Sequence, residues 1–253
     1  MNSVADALLD LAHAVGAPAR ELAILGEGNV SAILDDERML VKATGSSLAA
    51  ATLDDLVECR FGPILDLLDD ADATDARVGE ALLAARVDQT AKRPSVEAML
   101  HAVVLTSGAG AACHTHPVSA NGLLCSDRAS LLAAGALFPD QVVVLGTEAL
   151  LVPYVDPGLA LARRMRDDLR AFSDRRGALP KVAYLRNHGI FAIGASPAEC
   201  LRITEMADKF ARILTAALAV GEPAFLPDDQ VQRIDGRDDE HIRRAILDGA
   251  PHS

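Results

Sequence analysis

The chain has 253 residues, half of them hydrophobic, and a formal net charge of -12. That length suits one large domain spanning 1–253 with a full core and no need of staples, and the acidic balance argues against a nucleic-acid or anionic-membrane surface, since both reward basic patches. Four cysteines without CxxC spacing, Cys59, Cys113, Cys125 and Cys200, point to reduced, mostly buried thiols in a cytoplasmic protein, and no basic leader or apolar run near the ~20 residues of a membrane span is present.

Taken in chain order, Ser3 is placed to cap a first helix whose apolar positions Val4, Leu8, Leu11 and Ala12 recur at helical spacing, with Gly16 and Pro18 ending it. From Glu21 the pattern becomes strand, turn, strand, with Asp35-Asp36 as the tight turn. Asn29, Ser31, Thr44, Gly45, Ser46 and Ser47 gather at the ends of these segments, where backbone N–H groups and hydroxyls could grip an anion or a polyol. The stretch 52–91 is acidic and alanine-rich, with Leu53, Leu56, Leu65, Leu67, Leu68, Leu82 and Leu83 marking short buried elements between Asp-rich turns. Pro94 suits the first turn of a helix whose buried stripe is Val96, Met99, Leu100, Val103 and Val104.

Beyond Pro117, SANGLLCS and SLLAAGALF read as helical or mixed core, and QVVVLG as a short buried strand. Asp156 ahead of Pro157 is expected to cap a helix running to about Phe172. KVAYLRNHGIFAIG reads as two strands joined at Asn187-His188-Gly189, and Ser196-Pro197-Ala198-Glu199 as a capping box opening a long helix to about Val220. The Pro- and Asp-rich tail holds a short helix near 243–247.

His114 and His116 alternate along an extended segment, so they share one face about 6–7 Å apart along the backbone. With His188 in its turn they are either polar residues at strand ends or three ligands of one divalent ion, and the ligand reading is preferred because a same-face His-x-His is uncommon by accident. Three neutral imidazoles and an open position describe a catalytic site, with zinc expected first and Mn2+, Co2+ or Fe2+ as alternatives. Glu97 and His101 fall i,i+4. They form a surface pair worth a few tenths of a kcal/mol, or Glu97 turns toward the metal, the reading favoured beside His-Thr-His. His13, His241 and His252 read as bystanders.

GNVS at 28–31, KATGSSL at 42–48, PSVE at 94–97, HTHP at 114–117 and RNHG at 186–189 resemble, in that order, the class II aldolase/adducin family over about residues 21–221. The wording is most similar to the sugar aldolase half of bacterial proteins that fuse a rhamnulose- or fuculose-phosphate-type aldolase to a short-chain dehydrogenase; only the lyase half is expected here. The resemblance implies a three-layer α/β/α sandwich around a mainly antiparallel sheet, assembled as a homo-oligomer, a tetramer, with sites at subunit interfaces. It implies His114, His116 and His188 as metal ligands, Glu97 as acid/base residue, and Asn29, Thr44, Gly45 and Ser95 around a substrate phosphate. One departure stands out. Phosphate-binding members carry two serines ahead of the glutamate, whereas Ser95 is followed by Val96, leaving fewer donors for a dianion.

The implied reaction is reversible retro-aldol cleavage of a ketose or ketose phosphate through a metal-stabilised enediolate, with a small sugar or sugar phosphate as partner. Decarboxylation of a 3-oxo sugar acid and epimerisation are the enzymatic alternatives. An adducin-like interaction module is the non-enzymatic one, opposed by retention of the three histidines and Glu97. Family members also use a tyrosine, and neither Tyr154 nor Tyr184 is singled out by the sequence.

Overall fold

The computed structural model describes residues 3–237, apart from the side chain of Asp75. Helix α1 (Val4–Gly16) opens on a full capping box between Ser3 and Asp6. Strand β1 (Asn29–Asp35) and β2 (Arg38–Lys42) form a hairpin, turning one residue later than Asp35-Asp36. The segment expected as strand from Glu21 starts only at Asn29; before it runs irregular chain with Glu21 and Leu25 at positive φ. Strand β3 (Leu56–Arg60), α2 (Gly62–Asp69) and α3 (Asp75–Ala85) occupy the acidic stretch. There Leu67, Leu68 and Leu82 are buried, while Leu53 and Leu83, expected to mark buried elements, are exposed.

Helix α4 (Ala98–Thr106) begins after Pro94, which instead pairs with Ala43 in an isolated bridge. Its burial is all round, and Val96, expected in the stripe, lies ahead of the helix and is exposed. Then come β4 (Ala111–Thr115), α5 (Val118–Leu124), α6 (Pro139–Leu145), β5 (Leu150–Val152), α7 (Leu159–Arg176), β6 (Val182–Leu185), β7 (Gly189–Gly194), α8 (Pro197–Val220) and α9 (Asp228–Asp235). The valine run of QVVVLG is helix, not strand. Pro139 starts it, Gly146 at φ 79 stops it, and burial of Val142 and Val143 against Val231 and Ile234 of α9 overrides the β preference of valine.

Asp156 does not cap α7. The N-cap is Gly158, and Asp156 accepts the Tyr154 hydroxyl at 2.9 Å. At α8 half of the expected box forms: Ser196 Oγ accepts the Glu199 N–H at 3.2 Å, while the Glu199 carboxylate turns to the Ala195 N–H and Lys181. The helix expected near 243–247, like His241 and His252, lies outside the described residues.

The sheet has seven strands in the order β3-β2-β1-β4-β7-β6-β5, antiparallel except for β5 with β6. Side-chain alternation gives it two buried faces. Met39, Val41, Ala112, Phe191 and Ile193 meet α2, α4 and α7, and Val30, Ala32, Cys113, Ala192 and Tyr184 meet α1, α5 and α8. This is the expected three-layer α/β/α arrangement with a mainly antiparallel sheet. The sheet offers one face to each helical layer. No described helix is long and apolar enough to cross a membrane.

Candidate metal centre

His114 lies two residues beyond Ala112, so it shares the sheet face covered by α4. It pairs across the sheet with Asn29 on one side and Phe191 on the other. Phe191 stacks on it at a centroid distance of 4.9 Å. Its Nδ1 lies 2.9 Å from the Ile190 carbonyl, which only a protonated Nδ1 can satisfy; the neutral ring therefore presents a lone pair on Nε2. His116 sits just past β4, held by its N–H to the Leu22 carbonyl at 2.9 Å, and its Nε2 is 3.0 Å from that of His114. His188 is delivered by the β6–β7 turn, where Asn187 takes φ 55, a left-handed conformation asparagine tolerates. One ligand atom from each histidine falls within 4.8 Å of the others. Convergent lone pairs in a cluster of one buried and two half-buried rings suit one divalent ion.

Two glycines make the approach possible. A Cβ on Gly189 would lie 2.5 Å from the Thr115 carbonyl and 2.6 Å from the His116 ring, and one on Gly28, already at φ 74, would lie 2.8 Å from the His114 carbonyl. These are the glycines of NHG and GNVS.

Glu97 is the residue just before α4. Its Oε1 is 3.3 Å from His114 Nε2 and 3.2 Å from His188 Nε2, and its Oε2 accepts from Asn29 Nδ2. Burial pushes the carboxyl upward, but the His114 and His188 imidazoles outweigh it and hold Glu97 well below the usual carboxylate range. Burial opposes charge on His114, yet Glu97 raises it overall. Burial, then His114 and His188, push His116 down to about 3, keeping it neutral.

His101 does not pair with the Glu97 carboxylate. It is fully buried, its Nδ1 is 2.6 Å from Ser31 Oγ, its ring packs 4.9 Å from Phe191, and burial pushes it down to about 3. His13, read as a bystander, has its Nε2 2.7 Å from the Ala51 carbonyl.

The other expected residues form the adjoining rim. Thr44 donates its N–H to the Arg93 carbonyl at 2.9 Å and Ser95 to that of Lys42 at 3.2 Å, clamping the exposed Thr44-Gly45 turn beside the loop that carries Glu97. Ser95 Oγ accepts the Glu97 N–H at 3.3 Å. The structure adds Lys42, to which the residue reading gave no role: it is 2 % exposed, donates to the Ala43 carbonyl at 3.3 Å, and burial lowers its proton affinity against the pull of Asp55 and Glu97. A lysine directly after the apolar Met39, Leu40 and Val41 and adjoining the Thr-Gly turn was the available signal. Asn121, read as helical core, donates to the His188 carbonyl at 3.0 Å. Tyr184 is wholly buried on the opposite sheet face, and Tyr154 is exposed. Cys59, Cys113 and Cys200 are buried free thiols and Cys125 is exposed.

A 3-oxo-tetronate 4-phosphate decarboxylase of Haemophilus influenzae is 25% identical over 214 residues, 84% of this chain and 87% of that protein. Among solved structures, the N-terminal class II aldolase domain of a Thermoplasma acidophilum protein superposes with a TM-score of 0.64 at 22% identity, covering 83% of this chain and 94% of that one. L-fuculose-1-phosphate aldolase of Thermus thermophilus gives 0.59 at 19%, covering 86% and 97%. The profile of the class II aldolase and adducin N-terminal domain matches residues 8–215, and with that match over most of its length this chain belongs to the class II aldolase/adducin family.

Proposed function

We propose that the protein is a divalent-metal-dependent carbon–carbon lyase that cleaves a ketose or ketose phosphate by a reversible retro-aldol reaction. The observation that carries this is the meeting of His114, His116 and His188 with the Glu97 carboxyl group, itself steadied by Asn29. His114, His116 and His188 would hold the ion, zinc by preference, and when bound it supplies Lewis-acid stabilisation of an enediolate. Glu97, ionised at neutral pH, takes the proton from the ketose-fragment carbon in the condensation direction and returns it to that carbon in cleavage. Asn29 orients its carboxylate. Lys42, the Thr44-Gly45 turn and Ser95 form the rim that receives the substrate's far end, a phosphate or a polyol. Buried free thiols fit a reducing, cytoplasmic setting, and a tetramer is the assembly expected of such a lyase.

A second reading, decarboxylation of a 3-oxo sugar acid, is favoured by the Haemophilus influenzae relative. It uses the same groups, with Glu97 relaying a proton taken up from solvent to the carbon that has lost carbon dioxide. The test has two stages. Elemental analysis of wild type beside His116→Ala is expected to show about one divalent ion per chain in the first and none in the second. The loaded enzyme is then offered ketose 1-phosphates and phosphorylated 3-oxo acids: an aldehyde product supports the aldolase, carbon dioxide the decarboxylase. No metal uptake by wild type, even with divalent ions added, would sink both.

A further inference from the structure

A metal-ligating imidazole normally donates the N–H of its second nitrogen to a fixed acceptor, which sets the tautomer and the angle of the ring. The three histidines differ in how far this is met. His114 has the Ile190 carbonyl 2.9 Å from its Nδ1. His116 turns its Nε2 to His114, and its Nδ1 faces the partly exposed Glu27 carboxylate at 3.7 Å, where water can also serve. His188 is the exception. Its Nε2 faces Glu97 Oε1 at 3.2 Å, so the hydrogen belongs on Nδ1 when Nε2 offers its lone pair. Yet Nδ1 is buried and has no hydrogen-bond partner among the described residues.

The complementary atom lies on a residue already bonded to His188. Asn121, in the first turn of α5, donates its Nδ2–H to the His188 main-chain carbonyl at 3.0 Å. A carbonyl only accepts, so the nitrogen end of the amide is fixed there. The oxygen end, Oδ1, is buried and without a partner among the described residues. One unmatched donor and one unmatched acceptor thus sit on two residues joined by another bond, and each bears its desolvation cost until it is matched. Thr115 Oγ1 is a further unpartnered buried oxygen nearby in sequence. Its side chain alternates to the sheet face opposite His114, which makes Asn121 the better placed acceptor.

We propose that Asn121 is a positioning residue for His188: its Oδ1 accepts the His188 Nδ1–H when Nε2 serves the metal, while its Nδ2 keeps hold of the carbonyl of the same residue. That two-point grip sets both the β6–β7 turn and the angle of the ring. The inference rests on the metal reading of the three histidines. Its test is a Co2+ titration of the full chain against a competing chromophoric chelator, with the melting temperature of the metal-free protein as control. Asn121→Ala should bind about 10–100-fold more weakly than wild type. Asn121→Asp keeps the acceptor but loses the N–H that reaches the carbonyl, and should retain most of the wild-type affinity. Thr115→Val should bind as wild type does. In the Co2+-loaded wild type the His188 Nδ1–H should give a paramagnetically shifted proton resonance that exchanges slowly with D2O, and Asn121→Ala should move it and speed its exchange. Should Asn121→Ala not fold, Asn121→Asp and the wild-type resonance decide. Equal affinity in wild type and Asn121→Ala overturns the proposal. So does an Asn121→Asp as weak as Asn121→Ala, which would leave only the bond to the carbonyl, or a loss seen in Thr115→Val instead. Failure of wild type to take up Co2+ defeats the metal reading itself, and this inference with it.

Discussion

The histidine cluster at the end of β4 and the corner where α6 packs on α9 differ in what fixes each side chain. In the cluster, His114 and Glu97 are set by their place on the backbone and by polar partners. His114 faces Asn29 and Phe191 across the sheet, its Nδ1 is held by the Ile190 carbonyl, and Gly189 and Gly28 leave the room. In the corner, the Val142 and Val143 side chains pack by apolar contact against Val231 and Ile234. Directional bonds fix orientation, whereas apolar contact fixes only proximity. The cluster should therefore fail in function when a single atom changes, and the corner should fail in stability.

The largest effect is expected at Glu97. Glu97→Gln keeps the shape and the contact with Asn29 but removes the base, so turnover should fall by about 10²–10⁴-fold with metal content unchanged by elemental analysis. Equal loss of metal would make Glu97 a ligand first and a proton carrier second. Next comes Gly189→Ala, whose Cβ would press on the Thr115 carbonyl and the His116 ring. Overpacking there should cost about 3 kcal/mol in a urea titration and weaken metal binding as well, since the β6–β7 turn must shift to accept it.

Val142→Ala is the matching change in the corner. Removal of two buried methyl groups should cost about 2 kcal/mol and leave metal affinity as it was. If metal affinity also fell, the corner and the cluster would be coupled and the contrast between them would not hold.

The smallest effect is at Asp55, which sits between the two kinds of region. Its carbonyl receives the Ala43 N–H at 2.7 Å ahead of the Thr44-Gly45 turn, and its carboxylate is bonded by Lys92 at 2.7 Å and by Thr52. The Lys92 ammonium, against burial and with help from Thr52, holds this carboxyl well below its usual range. A folded-state value below the unfolded one means the stabilisation is complete above the ordinary aspartate range of about 4 and is lost as pH falls through and below it. The urea midpoint of wild type should drop further between about pH 7 and pH 3 than that of Asp55→Asn, by an amount within about 1 kcal/mol given the exposed lysine.

Much of the site was legible because its geometry is local. An alternating His-x-His on a strand must share a face, and a turn written Asn-His-Gly permits both the left-handed asparagine and the close approach behind it. His101 was not legible. Its i,i+4 spacing to Glu97 is a helix-surface relation, yet Glu97 precedes the helix and α4 is buried all round, so the ring turns to Ser31. Lys42 likewise needed the sheet to show that it is enclosed.

By itself the sequence determined the ends of α1 and α8 and the face shared by the two strand histidines, because these follow from periods of 2 and 3.6 residues and from caps a few residues away, while the layered α/β class followed from the family resemblance its motifs carry. Only the tertiary structure decided that the valines of α6 are helical, that Gly158 rather than Asp156 is the N-cap of α7, and that Glu97 meets both His114 and His188. Each depends on partners distant along the chain, or on burial, for which a local pattern carries no term.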